Sequence, residues 1–399
     1  MKDPLLTTPA LFRAQRPALI VGFIALAICA IFGWLNPNLH EQFFRSYLVG
    51  WFFVLGIALG AMSIVMMHHL TGGAWGLLIR RFGEAAAGTL PLLLILFIPI
   101  ALGLSYLYPW ARPGEVASEA VLQHRRNVFN PGFTLLRVLI YFAIWMLFAW
   151  RLRRLSLLHE RNGDPAILQR LASLSAAGLV VYFITMSLAS MDWVASREIH
   201  WYSSVFGFIV VIGQALSGTV FMLIMLSRLG DDSPLREAAQ PDILQDLGNL
   251  LLTLVILWAY MALSQMLVIW MGNEQEEITW YLHRSQGFWL AIIVGLIVLH
   301  FFAPFLLLLI QGAKRNIKIL GAIASGILVL RYLDVLWLIE PSSPTRIAHG
   351  LHWMDFVAPI GIGGIWLWLF LLLLRRRSLI PLGEREEVDL SHGSQTSTT

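Results

Sequence analysis

The sequence predicts an all-α polytopic membrane protein with ten transmembrane helices. Two observations carry that reading. The 399 residues are 58% hydrophobic and only 13% charged, where soluble domains carry about 25% charged residues, and the mean hydropathy is +0.71. The apolar residues also gather into ten runs, each close to the roughly 20 residues needed to cross a bilayer core of about 30 Å. Runs this long and this uniformly apolar do not suit barrel strands, and helices alone satisfy their own backbone polar groups in lipid.

The runs fall at 17–35, 43–67, 89–108, 132–150, 171–191, 203–227, 246–271, 287–311, 317–339 and 353–374. The first is long for the core of a signal peptide and ends at Trp34 and Asn36 without a small-residue cleavage site, so it reads as a retained anchor. It holds Cys29, the single cysteine. One cysteine excludes a disulfide framework, cysteine-ligated iron–sulfur clusters and a covalently attached c-type haem. The pI near 9.4 suggests nucleic acid at first sight, but the basic residues lie in short loops, where they act as topology signals. Nineteen Lys and Arg fall on the N-terminus, the even-numbered loops and the C-terminus, against seven on the odd-numbered loops. Both ends are therefore expected in the cytoplasm, with the odd loops outside. Those odd loops gather Trp110, Trp193, Trp201, Trp280, Tyr281, Glu274, Glu276 and Glu277; tryptophan and tyrosine favour the headgroup level. The tail from Ser378 is charged, then rich in Ser and Thr, and reads as disordered.

An ionisable side chain inside a span costs at least about 2.5–3.5 kcal/mol on insertion scales, which makes each one a functional candidate. Arg331 and Asp334 share a face of the ninth span at i, i+3 and can pair, either to fix packing or to relay protons. His300 lies near the middle of the eighth span and either bonds a backbone carbonyl or carries a proton. Gln214 with Ser217, and Tyr260 with Ser264, occupy single helix faces and either line a polar route or join helices. Arg137 and Tyr141 in the fourth span lie at the same outer depth as Asp192 in the fifth, so Arg137 and Asp192 can pair. On the inner side His68, His69, Arg80, Arg81 and Glu84 flank the Gly72–Gly73 turn, a candidate proton entrance. His349, His352 and Asp355 recur every three residues, but the spacing drifts about 60° around a helix at each step; with no fourth ligand evident, hydrogen bonding suits them better than metal.

Six segments in this order resemble the NrfD-like family of polysulfide-reductase C-chains, and within it the F-type membrane subunits of alternative complex III, a quinol:electron-acceptor oxidoreductase. They are HHLTGGAWGLLIRRFGEAAAGTLP (68–91), LYPWARPG (107–114), MDWVASREIHWYSSVFG (191–207), SQMLVIWMGNEQEEITWYLHR (264–284), FFAPFLLLLIQGAKRN (301–316) and RYLDVLWLIEP (331–341). The resemblance implies two four-helix bundles, helices 2–5 and 6–9, flanked by helices 1 and 10. The corresponding divisions are 1–42 with helix 1, 43–191 for the first bundle, 192–202 for the outer connection, 203–340 for the second bundle, 341–377 for helix 10, and the tail 378–399. It also implies a bacterial inner membrane and a chain without its own redox cofactor. The expected partners are a sister ten-span quinol-binding subunit, a periplasmic iron–sulfur subunit, c-type haem subunits and small membrane subunits, with haem c, iron–sulfur clusters and quinol held by them. Asp192, His300, Arg331 and Asp334 become candidates for a proton route, with Glu84, Tyr260, Ser264 and Gln214 beside them. Trp193, Arg197, Glu198, His200 and Trp201 become partner-docking candidates. The family loop reads approximately D-W-x-x-S-L-E-P-H-W, whereas here Arg197 replaces an apolar residue and Ile199 the proline.

Three functions follow from these residues. The first is a non-catalytic subunit that anchors a quinol-oxidising complex and provides a proton route. The second is quinol binding by this chain itself, with Arg137, Asp192, His349 and His352 at the membrane edge. The third is a secondary transporter centred on Arg331–Asp334, for which Pro304 in the eighth span and Gly321 and Gly326 in the ninth are signs of broken helices.

Overall fold

The computed structural model describes residues 13–228, 235, 238–342 and 350–375. Ten helices are long and apolar enough to cross a membrane: α1 Gln15–Leu35, α2 Pro37–Thr71, α3 Trp75–Leu102, α4 Pro131–Asn162, α5 Pro165–Arg197, α6 Phe206–Ser227, α7 Pro241–Gly272, α8 Gly287–Leu309, α9 Ile317–Ser342 and α10 Met354–Arg375. The chain is thus an all-helical, multi-pass membrane protein. His349 and the tail 378–399, both singled out from the sequence, lie outside the described residues.

Local chemistry sets the helix ends. Asn130 accepts a hydrogen bond from the Phe133 amide ahead of Pro131, which starts α4. Gly163, at φ 62°, ends α4 in the left-handed conformation, and Asp164 at once caps α5 ahead of Pro165. The five residues from Asn162 to Ala166 therefore make a tight antiparallel hairpin. In α8 the segment Leu296–Phe302 is π-helical. Pro304 accounts for it, because the ring offers no N–H to the His300 carbonyl four residues back and clashes with it.

The third span begins earlier than the apolar run suggests. The run starts at 89, but the helix starts at Trp75 immediately after the Gly72–Gly73 turn, so Arg80, Arg81 and Glu84 lie on a buried helix and not on an inner loop. Glu84 offsets one of the two arginine charges, and Glu160 of α4 offsets the other.

At the centre, α2 is enclosed over 94% of its apolar window and packs against α3, α5, α6 and α10. α6 is the next most enclosed and meets α2, α5, α7 and α9. Glycines allow the α2–α6 crossing: a Cβ at Gly60 would stand 1.7 Å from the Gln214 carbonyl oxygen, and one at Gly218 2.1 Å from the Ala61 nitrogen. With no hydrophobic drive between helices in lipid, such close backbone packing is a main source of association. α1 lies against α10 at the edge.

Candidate functional site

Four clusters of buried polar groups interrupt this apolar interior. The central one crosses five helices. Arg331 and Asp334, both buried, form an ion pair on one face of α9. The Arg331 Nε lies 3.4 Å from the Ser217 hydroxyl of α6. One turn away, Gln214 accepts a hydrogen bond from Tyr182 of α5 at 2.7 Å. Gly213 makes room for the guanidinium, since a Cβ there would lie 2.3 Å from Arg331 Nη2. A cavity of about 10 Å³ touches Gln214, Ser217 and Arg331, which is space for one water. On the other side of the pair the Trp258 indole of α7 approaches Asp334. Trp258 also packs edge-on against His300 of α8, with ring centroids 4.2 Å apart. His300 is fully buried, and neither ring nitrogen has a hydrogen-bond partner among the described residues. It lies within electrostatic reach of Arg331.

The second cluster lies at the odd-loop end. Asp192 is held by Arg137 through two hydrogen bonds of 2.7 and 2.8 Å and by the Tyr141 hydroxyl at 3.0 Å. The pairing expected from equal depth is present. Arg137 also donates to the Val128 carbonyl and to Thr134, and its guanidinium lies 4.6 Å from the Phe133 ring centroid.

The third cluster is at the even-loop end. Glu84 meets Arg81 at 3.0 Å and Arg80 at 3.5 Å and accepts from the Ser156 hydroxyl of α4 at 2.6 Å. Glu160 of α4 pairs with Arg81 and lies 3.8 Å from Arg80, giving a charge-balanced quartet. His69 and Ser175 are within 2.9 Å, and His68 bonds the Gly73 carbonyl at 3.0 Å. The fourth cluster ties α10 to α2: Asp355 accepts from Ser46 at 2.5 Å, Gln42 at 2.8 Å and the His352 amide at 2.7 Å. Tyr332 of α9 donates to the Asp355 carbonyl.

The α5–α6 connection turns inward. Arg197 is buried and donates to the Ile339 carbonyl at 2.5 Å, and Trp193 and Trp201 are buried too. Glu198 accepts from Arg284 at 2.6 Å; Arg284 lies 3.9 Å from the Trp280 ring centroid and also bonds the Leu338 carbonyl. Burial pushes the Glu198 carboxyl up, but Arg284 and His283 outweigh it and hold it below the usual carboxylate range. Burial raises the nearby Tyr281 hydroxyl to about 12, against weaker opposing effects of Gln265 and Arg284. Of the residues expected to dock partners, His200 is the one that is exposed.

The structure thus brings Gln214, Arg331, Asp334 and His300 together and gives Asp192 and Glu84 clusters of their own. Tyr260 does not join them: it is 60% exposed on the outer apolar face of α7. Ser264, one turn on, is partly buried. The sequence reading missed Ser156, Glu160, Ser46, Gln42, Trp258 and Arg284. Arg284 four residues after Trp280, Ser46 four after Gln42 and Glu160 four after Ser156 were local signals, but the partners that complete each cluster lie on distant helices.

No family model matches the chain, and no curated protein matches it. Among the described residues, no group of three or more His, Cys, Asp or Glu side chains is placed to hold a metal ion.

Proposed function

We propose that the chain is an integral subunit of a quinol-oxidising electron-transfer complex of the alternative complex III type. In this reading it anchors the redox subunits and provides a proton route while holding no redox cofactor. The helices form two four-helix bundles, α2–α5 and α6–α9, flanked by α1 and α10, with both termini on the cytoplasmic side of a bacterial inner membrane. The contacts of α1 with α10, of α4 with α5 and of α6 with α7 and α9 support that arrangement, and the Lys and Arg asymmetry supports the orientation.

The observation that carries the proton role is the central series Tyr182, Gln214, Ser217, Arg331, Asp334, Trp258 and His300. Buried ionisable groups in lipid are costly and commonly mark ion or proton pathways. The series combines a carboxylate, a histidine with unbonded ring nitrogens and space for one water, which are the parts of a relay. Asp192 at one end of the molecule and Glu84 at the other supply carboxylates nearer the two surfaces.

The test uses the assembled complex, recognised by haem and iron–sulfur spectra that co-purify with this chain. Proton release per electron is measured for Asp334→Asn and for the double variant Arg331→Met/Asp334→Leu. The expected result is a lowered ratio in both. A normal ratio in the assembled double variant would reduce the pair to a packing device. A chain that purifies in functional form without haem-bearing partners would refute the subunit assignment.

A further inference from the structure

The end where α6 stops and α9 starts carries a cavity of about 240 Å³ that none of the four clusters reaches, lined by Ser227, Arg228, Lys318, Gly321, Ala322 and Ser325. Arg228 follows the last residue of α6 and Lys318 lies in the first turn of α9. Two cations from neighbouring antiparallel helices therefore flank one opening at the level where both spans end. Both are exposed, and neither charged head has a hydrogen-bond or ion-pair partner among the described residues. Adjacent cations behave differently. Lys314 donates to Asn249 at 2.7 Å, and Arg315 bonds Gln245 and pairs with Asp242, each at 2.7 Å. Among the described residues, counter-groups are built where cations serve packing, and none stands at the cavity.

A second feature fixes the kind of anion. From the cavity an exposed apolar strip climbs α9 through Ala322, Gly326 and Val329, spaced at i, i+4 and i+7 along one face. A Cβ at Gly326 would meet nothing within 4 Å, so the strip has a shallow trough at mid-length. The N-terminal amides of α9 take no part, because the Asn316 side chain already accepts from Lys318 and Ile319. A guanidinium and an ammonium at the membrane surface, continuous with an apolar trough directed into the bilayer, match the chemistry of an amphiphile with a negatively charged head.

We infer that this is a binding site for an anionic phospholipid. The phosphate lies between Arg228 and Lys318, and an acyl chain lies along Ala322, Gly326 and Val329. The inference rests on the chain's being a membrane protein and is independent of the redox assignment.

The test titrates the purified full-length protein in detergent with phosphatidylglycerol or phosphatidylcholine, reading the first bound lipid by native mass spectrometry. Phosphatidylglycerol should bind in preference to phosphatidylcholine. Arg228→Gln or Lys318→Gln should each weaken it roughly five-fold and the double variant about thirty-fold, as expected for about 1 kcal/mol per basic residue. Gly326→Leu should weaken it with both charges intact, and Arg315→Gln should leave it unchanged. These positions are exposed, so an unfolding midpoint no lower than that of the wild type is the control on folding. Equal binding of the two lipids, or wild-type affinity in the double variant, would overturn the inference. So would an equal loss in Arg315→Gln, which would mean a diffuse surface attraction. Displacement of the lipid by inorganic phosphate, with Gly326→Leu neutral, would overturn it in favour of a soluble-anion site.

Discussion

Removing the Asp334 charge should strongly destabilise the protein, whereas removing both members of its pair should not. Arg331 and Asp334 are each 3% exposed. Without the carboxylate, the guanidinium keeps one long hydrogen bond, 3.4 Å to Ser217. Breaking a buried pair from one side typically costs about 3–5 kcal/mol, while replacing the whole pair with apolar residues of similar volume is often neutral or stabilising. Asp334→Asn should therefore lower stability by about 3–5 kcal/mol and Arg331→Met/Asp334→Leu by less than about 1 kcal/mol. Asp192→Asn offers an internal comparison. Its Arg137 retains the Val128 carbonyl, Thr134 and the Phe133 ring and is partly exposed, so about 1–2 kcal/mol is expected there, near the cost of an ordinary lost hydrogen bond to a charged group. Reversible unfolding in mixed detergent micelles, read by tryptophan fluorescence, gives all three values. A double variant as unstable as Asp334→Asn would refute the argument, because the penalty would then come from lost packing rather than from an uncompensated charge.

Three further outcomes follow from the same geometry. Glu84→Gln should cost about 3 kcal/mol and more than Glu160→Gln, because the Glu84 side chain is 4% exposed and the Glu160 side chain 18%; unfolding midpoints of the two variants test the order. Gly60→Ala should cost upwards of about 2 kcal/mol, since the new Cβ cannot avoid the Gln214 backbone, whereas Gly326→Ala should stabilise by about 0.5–1 kcal/mol through helix propensity alone. Glu198 titrates below its unfolded value, so its contribution to stability is full above the unfolded carboxylate pKa of about 4.3 and is lost as pH falls through the lower folded value. Hydrogen exchange in Gln275–Arg284 should accelerate in that acid window, and Glu198→Gln should abolish the pH dependence.

Much of the architecture could be read from the chain because lipid leaves so few solutions. Ten apolar runs of spanning length become ten helices, and the Arg331–Asp334 pair follows from its own i, i+3 spacing. Depth alone was enough to join Arg137 to Asp192. The third span was harder. Arg80, Arg81 and Glu84 look like a solvated loop until Ser156 and Glu160, some seventy residues later, arrive from α4 to complete the cluster. Tyr260 and Ser264 share a helix face as expected, but a shared face does not say whether it turns inward, and that of Tyr260 turns outward. Trp193 and Trp201 looked like interface anchors because their composition matches the headgroup zone. The carbonyl of Ile339, which draws Arg197 and this connection inward, belongs to a helix end more than a hundred residues away.

The enclosure of α2 has a consequence for how the molecule is made. Two of this helix's neighbours, α6 and α10, are synthesised roughly 140 and 280 residues after it ends. Until then its Gly60 face and its Gly50 face, the latter against Pro359 of α10, have only lipid or an assembly factor to cover them. Unlike a protein built from two self-sufficient halves, no N-terminal fragment that stops before α10 contains a finished interior. A segment made some 280 residues later closes the structure around α2.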